Sequence, residues 1–444
     1  MTKKIIILFE DSKRTKFVTD MLAQKKIPYE LWDLSSHNID MSKIPLKDVV
    51  YYNRVSPSSS TRGNDGTPAY AKILLSYLEN HGATVINPSN TLDIEMSKAM
   101  QTILLNNAGI KTPQTFVCVG KGDVINVIKQ NFLNRKLVIK TNLGGSGDNV
   151  EIYNDGKSAI LGMTSNKVKA VDGVFIVQEY VHSITHDERQ QIIQCSEELS
   201  TTNNTAPVPE IETGPILGPP VTAQTMRMSQ RTINRVPKIA INTVPPPVVV
   251  VSPTPPRASM TPRSGRFSGH QQRGIVRQNG QLRQVNAHTT STNKLIPQSK
   301  SAAATSGPDY AYRLEIIGHK VIYVLRMNIA LFNAPQRCPC EGGTSILEKF
   351  QVLMKPEREI PFSSHQIFNT FSEKAVQFTK THKIGTAAFE FRVNSSGEPT
   401  VYDLNINTNY NPSAEIFARK HYRDIEVPSG LEKLTEYLAS HLAM

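Results

Sequence analysis

From Thr213 to Pro308 the chain runs for 96 residues without one Asp or Glu, and this stretch limits what the 444 residues can fold into more than any other feature. It holds 13 of the 28 prolines, twelve Lys and Arg, long runs of Ser, Thr, Gln and Asn, and a single aromatic residue, Phe267. Such a segment buries too little apolar surface to offset the entropy of ordering its backbone, so the sequence predicts disorder there. Its twelve cations equal the formal net charge of the whole chain, +12, and the flanks together sum to zero. The folded parts therefore need no acidic partner. The segment reads as a solvated linker or as an arm that contacts a polyanion or a protein through charge. It lacks the interleaved aromatics that stack bases.

The flanks carry the periodicities of a folded protein. Lys4 to Glu10 is an apolar run of strand length, followed by helical spacing over Thr15 to Lys25 and a strand at Tyr29 to Asp33, the opening of an α/β unit. Strands at Asp48 to Tyr52 and Val85 to Asn87 and a helix at Ala69 to His81 extend it. A single helix is predicted over Asp93 to Ala108. A strand at Thr115 to Val119, a helix at Asp123 to Phe132 and strands at Lys136 to Lys140 and Val174 to Val181 complete the first flank. The second flank opens with strands at Tyr310 to Ile317 and Lys320 to Met327 around the turn Gly318-His319. A helix at His365 to Thr381, strands at Ala387 to Val393 and Thr400 to Asn407, and a helix at Gly430 to Leu442 follow. Neither flank looks complete alone, so the basic segment interrupts a domain rather than separating two.

Four cysteines (Cys118, Cys195, Cys338, Cys340) make no disulfide framework in a chain this long, which points to a reducing setting. The apolar run after Met1 is too short for a signal-peptide core, and no run of 18 apolar residues occurs, so a cytoplasmic location without membrane spanning is expected. Cys338-Pro-Cys340, without a second cysteine pair or a nearby His, leaves a tetrahedral zinc site incomplete.

Two places concentrate chemistry. Lys140 ends an apolar strand and is followed by Thr-Asn-Leu-Gly-Gly-Ser-Gly. The glycines let backbone N–H groups approach an anion, and the lysine supplies a charge for phosphate oxygens; a plain flexible turn has the same composition. The loop has neither the Walker A order nor the dinucleotide spacing. Near the C-terminus, Val401 to Asn407 places Asp403, Asn405 and Asn407 on one face with Leu404 and Ile406 behind them, and Glu390 lies on the preceding strand. An oxygen-only set of Glu, Asp and Asn suits Mg²⁺ held together with phosphates. The alternative is a solvated strand face.

In their order along the chain, these pieces resemble the ATP-grasp superfamily, in particular its carboxylate-amine ligases of the glutamate-ligase and ribosomal-protein-modification type. The resemblance is carried by Glu95-Met-Ser-Lys98 leading to Ala108-Gly-Ile-Lys-Thr-Pro113, Val138-Ile-Lys140 with Asn142-Leu-Gly-Gly-Ser-Gly147, Val177-Gln-Glu-Tyr-Val181, Tyr312-Arg-Leu-Glu-Ile with Gly318-His-Lys-Val, and Glu390 with Asp403-Leu-Asn405. It implies an α/β (α+β) fold: an N-terminal α/β pre-ATP-grasp domain over 1–95, a first ATP-grasp subdomain over 96–185, the disordered insertion over 186–308, and a second subdomain over 309–444.

The resemblance also implies roles. Lys98 and Lys140 meet the phosphates and adenine ring of ATP, Gly144, Gly145, Ser146 and Gly147 close over the phosphates, and Gln178, Glu179, Tyr180 and Val181 read adenine as a hinge. Arg313 neutralises charge on the transferring phosphoryl group, with Arg189 as its rival, and Glu390, Asp403 and Asn405 ligate Mg²⁺ or Mn²⁺. The ribose contact falls to Asp187, Glu188 or Asp309. The implied reaction phosphorylates a small-molecule or peptide carboxylate, and an amine then attacks the acyl phosphate. A non-catalytic ATP-binding module with a basic recruiting arm and an ATP-grasp kinase are the competing readings.

Overall fold

The computed structural model describes residues 3–36, 38–145, 147, 149–183, 309–332 and 349–443. The basic segment and its expected disorder, the rival Arg189, Asp187, Glu188, Ser146 and the Cys338-Pro-Cys340 stretch all lie outside the described residues. The described residues on both sides of the basic segment belong to one compact unit. Its fold is mixed α/β, built on three sheets.

The first sheet is parallel, with strands β1 (Lys4–Phe9), β2 (Tyr29–Asp33), β3 (Val49–Asn53) and β4 (Thr84–Ile86) in the order β2-β1-β3-β4. Crossover helices cover both faces of such a sheet, which is why β1 is an unbroken apolar run. Ile5, Ile6, Ile7 and Leu8 are fully buried, each contributing about 2 kcal/mol of burial. Ile6 and Leu8 pack with Leu74, Leu75 and Leu78 of α2 (Thr67–Asn80). Ile5 and Ile7 pack with Val18 and Leu22 of α1 (Ser12–Gln24). On that same side lie Leu431, Leu434 and Leu438 of the last helix, Gly430–Ser440. The C-terminal helix thus completes a layer of the N-terminal sheet.

The helix expected over Asp93 to Ala108 is two helices, α3 (Ser89–Glu95) and α4 (Lys98–Asn107). Ser97 breaks it by taking an extended backbone, and its hydroxyl accepts from Met100 N–H, capping α4. Helical periodicity cannot show such a break, because Met96 and Ser97 do not interrupt the apolar spacing.

The second sheet is antiparallel, with β5 (Thr115–Val119), β6 (Leu137–Thr141), β7 (Val150–Tyr153) and β8 (Val174–Glu179) in the order β5-β8-β6-β7. Helices α5 (Gly120–Asn131) and α6 (Gly156–Thr164) cover one face, where Ile139 and Val177 meet Ile128 and Phe132. Strand alternation turns Lys140 to the other face. β7 and α6 were absent from the sequence reading, since four strand residues in a Gly- and Asn-rich surround give a weak period-2 signal.

The third sheet is antiparallel with five strands: β9 (Tyr310–Ile317), β10 (Lys320–Asn328), β11 (Phe350–Leu353), β12 (Thr386–Val393) and β13 (Pro399–Asn405), in the order β11-β10-β9-β12-β13. Gly318 and His319 both have positive φ, 54° and 62°, as the tight β9–β10 turn requires. The short helices α7 (Ile329–Phe332) and α8 (Pro356–Glu359) follow β10 and β11. α9 (His365–Thr381) covers one face, packing Phe371 and Phe378 against Phe389 and Phe391. α10 (Pro412–His421) follows β13, and the C-terminal helix is α11. Among the described residues no helix is long and apolar enough to cross a membrane.

Candidate phosphate and metal site

Register across the third sheet sets the site. Arg313 of β9 pairs with Glu390 of β12, and Glu390 pairs with Asp403 of β13. Three charged residues thus form a row on the face opposite α9. The next row brings Glu315 of β9 and Asn405 of β13 to either side of Ala388. Asn405 Nδ2 donates to Glu390 Oε1 at 3.0 Å, and Arg313 Nη1 lies 3.8 Å from that oxygen. Arg313 Nη2 donates to Thr408 Oγ1, and Arg313 Nε lies 2.8 Å from Glu315 Oε1, off the line of a hydrogen bond.

Two lysines face this row from the other elements. Lys98, the first residue of α4, pairs with Asp403 Oδ1. Lys140, at the end of β6, donates to the Tyr402 carbonyl at 2.8 Å. The loop after β6 is tied to the start of α4: Asn142 Oδ1 accepts from Ala99 N–H at 3.1 Å and Ser97 Oγ at 3.0 Å, and its carbonyl accepts from Lys98 N–H at 3.3 Å. One residue therefore fixes both lysine-bearing segments relative to each other.

The charges perturb one another strongly. Burial pushes the Lys140 ammonium down to about 8, and Lys98 adds to the effect while Asp403 and Glu390 oppose it. Burial raises the Glu390 carboxyl; Arg313 opposes this, and the neighbouring Asp403 charge adds to the rise. Burial acts the same way on Asp403, yet Lys98 and Lys140 together overcome it and hold the carboxyl below its usual range. Glu315 is pushed up to about 7 by burial despite Arg313.

In the glycine loop, Gly147 has φ of 78°, a conformation other residues adopt only with strain. A Cβ on Gly145 would lie 3.2 Å from Ser58 Cβ, so a larger residue would require Ser58 or the loop to shift slightly where it approaches Pro57–Arg62.

Gln178 to Val181, the residues expected to form a hinge, are tightly engaged. Gln178 Nε2 donates to Thr115 Oγ1 at 2.9 Å, and Glu179 pairs with Arg135. Tyr180 lies between Lys136, with Nζ 3.8 Å from the ring centroid, and Arg392, at 4.9 Å. Its hydroxyl donates to Asp309 Oδ2 at 2.9 Å, Arg392 Nη1 donates to Asp309 Oδ1 at 2.6 Å, and Arg392 Nη1 also reaches the Val181 carbonyl at 3.3 Å. Asp309, one of the three ribose candidates, is thus already paired.

Several contributors carry no role in the sequence reading, although Glu95 and Glu315 stand within the motifs quoted there. Glu95 accepts from Asn407 N–H at 3.1 Å and from Asn407 Nδ2 at 2.9 Å, and burial pushes its carboxyl up to about 7. Gln101 and Thr408 are absent from that reading. Glu315 was detectable, since Arg313-Leu-Glu315 repeats the period-2 pattern that singled out Asp403 and Asn405. Nothing local marks Thr408 or Gln101.

No protein-family model matches the chain, and no curated protein matches it. Solved structures similar to it include the D-alanine–D-alanine ligase of Bacillus anthracis, at 12% identity and a TM-score of 0.48, covering 100% of this chain and 99% of that one. A RimK-domain ATP-grasp protein from Sphaerobacter thermophilus DSM 20745 is 11% identical with a TM-score of 0.46, covering 98% and 99%. The ATP-grasp ligase PsnB, complexed with minimal precursor, Mg and ADP, is 10% identical with a TM-score of 0.46, covering 100% and 99%.

Proposed function

We propose that the chain is an ATP-grasp ligase that uses ATP and Mg²⁺ to phosphorylate a carboxylate and passes the acyl group to an amine. The carrying observation is the row Arg313, Glu390, Asp403, in register across three strands and faced by Lys98 and Lys140. On this reading residues 1–95 are the pre-ATP-grasp domain, and 96–185 with 309–444 are the two subdomains that enclose the nucleotide.

The residues fit the group they are proposed to hold. Among the described residues no three His, Cys, Asp or Glu side chains cluster to bind a metal unaided. Two carboxylates and an amide are what a Mg²⁺ site needs when phosphates and water supply the rest. The Asp403 charge raises the proton affinity of Glu390 across the strand pair, while Lys98 holds the Asp403 carboxyl ionised and so now supplies the cation it calls for. With a divalent ion held by Glu390, Asp403 and Asn405, the Lys98 ammonium would be free to meet phosphate oxygens. Asn405 spends its Nδ2 on Glu390 and keeps Oδ1 for a cation.

ATP with Mg²⁺ supplies a transferable phosphoryl group, which turns a carboxylate oxygen into a leaving group. Lys140, protonated below about pH 8, holds a fixed positive charge against the phosphates. Arg313, kept charged by Glu315 and Glu390 against the effect of burial, offsets charge on the oxygens in transfer. The glycine loop closes over the phosphates and excludes water that would hydrolyse an acyl phosphate.

The test uses hydroxylamine as the amine. With Mg²⁺, ATP and a panel of carboxylic acids, a ligase forms ADP and a hydroxamate, and Asp403→Ala and Lys140→Ala abolish both. ADP formed on a hydroxyl acceptor without hydroxamate would assign a kinase. Tight ATP binding with no ADP from any acceptor would assign a binding module.

A further inference from the structure

The parallel sheet places a second polar cluster where its strand order reverses. β1 leads outward to β2 and β3 begins on the other side of β1, which makes their C-terminal ends a switch point of the kind where open α/β sheets bind ligands. The residues leaving β1 and β3 gather there: Glu10, Asp11 and Arg14 after β1, and Arg54, Ser56, Ser58 and Arg62 after β3.

Among the described residues Arg54 has no ion-pair partner there. Arg62 pairs with Glu10 and lies 3.6 Å from Asp11, and Arg14 lies 3.4 Å from Asp11. Arg54 is the third guanidinium and is only 6% exposed. Among the described residues its hydrogen-bond partners are neutral: Tyr52 Oη at 3.2 Å, the Arg14 carbonyl at 3.3 Å and Asn409 Oδ1 at 3.0 Å. No carboxylate of the described residues lies within ion-pair distance of it, and its Nε is buried without a partner. A buried charge without a counter-ion is costly, and breaking such pairs typically costs several kcal/mol.

The surroundings point the same way. The Tyr410 hydroxyl and Asn407 Oδ1 are also buried without partners. Asn407, two residues past Asn405 of the site described above, donates from Nδ2 to the carbonyl of Val55, the residue after Arg54, at 2.9 Å, which ties Arg54 to that site. Asn409 itself is exposed and sits in the irregular segment after β13. Its amide oxygen occupies Nη2, which together with Nε forms the edge of the guanidinium that grips a carboxylate with two parallel bonds.

We infer that Arg54 binds a carboxylate of the substrate other than the one that reacts, displacing Asn409, so that the substrate is a molecule with at least two acidic groups. This rests on the ligase reading for the first carboxylate, while the Arg54 subsite stands on its own contacts.

The full chain is titrated with malonate, succinate, glutarate and adipate, each beside the monoacid of equal carbon number, and Mg-ATP binding is recorded separately by thermal shift. At least one diacid is expected to bind about tenfold or more tighter than its monoacid, the worth of one added charge-assisted contact. Arg54→Gln removes that preference and leaves the Mg-ATP shift in place. If Arg54→Gln does not fold, Asn409→Asp serves instead: an internal carboxylate on Arg54 raises the melting temperature and removes the diacid preference. Equal binding of every diacid and its monoacid, or a preference that survives Arg54→Gln or Asn409→Asp, overturns the inference. A missing Mg-ATP shift beside an intact, Arg54-dependent preference sinks the ligase reading alone.

Discussion

The side-chain amide of Gln101 pairs with the backbone of Leu404 as a neighbouring strand would, accepting from its N–H at 3.3 Å and donating to its carbonyl at 3.0 Å. β13 is an edge strand, and an unpaired edge in a core would leave buried polar groups unsatisfied. Gln101 on α4 and the Lys111 carbonyl, which accepts from Val401 N–H at 2.8 Å, close this edge. Because Gln101 lies one turn after Lys98, the same pairing holds Lys98 over Asp403.

Gln101→Ala should therefore cost about 2–3 kcal/mol, since it strands a buried donor and a buried acceptor at once. Gln101→Glu should be worse, because it turns an acceptor toward the Leu404 carbonyl. Denaturant unfolding measures both. A loss under 1 kcal/mol for the alanine variant would mean that water replaces the amide at this edge.

Lys98→Met removes the main cation beside Asp403 and should destabilise the apo protein by roughly 2–4 kcal/mol, less than for a fully dry pair because both side chains keep some exposure. Millimolar Mg²⁺ should restore part of the loss in this variant and change the wild type little. Melting curves with and without Mg²⁺ decide it; no Mg²⁺ rescue would argue that Glu390 and Asp403 do not hold the ion.

Lys140 should make Mg-ATP binding sensitive to alkali. Its folded pKa of about 8 lies below the 10.5 of an ordinary lysine, so the ammonium is lost as pH rises through 8, and affinity should fall about tenfold per pH unit above it. The apo protein moves the other way: between 8 and 10.5 the unfolded chain binds the extra proton, so this residue's contribution to stability rises with pH. Lys140→Arg should flatten the binding profile. A wild-type affinity unchanged from pH 7 to 9.5 would remove Lys140 from the phosphate site.

Glu95 and Glu315 titrate near 7 in the fold against 4.5 in the open chain. Raised carboxyl groups hold more protons folded than unfolded, so their contribution is complete below pH 4.5 and is lost as pH rises through 7. The melting temperature should fall over that window, and Glu95→Gln should reduce the slope. An identical slope in Glu95→Gln would place the titration elsewhere.

Strand periodicity made much of this molecule legible in advance. Alternation along Val401 to Asn407 separates Asp403, Asn405 and Asn407 from the buried Leu404 and Ile406, because successive side chains of an extended backbone point to opposite faces whatever surrounds them. The apolar run of β1 and the Gly318-His319 turn were legible for the same local reason. Partners were not. Asn405 turns to Glu390, fifteen residues away, while Asn407, two residues beyond the end of β13, turns to Glu95, 312 residues away. Gln101 reaches across 303 residues to Leu404, and α11 packs on a strand that begins at Lys4. That Arg54 meets no carboxylate among the described residues shows only in the packed fold. Backbone geometry sets which way a side chain points, but what it meets, and hence its pKa and its unfilled valences, depends on packing between segments far apart in the chain.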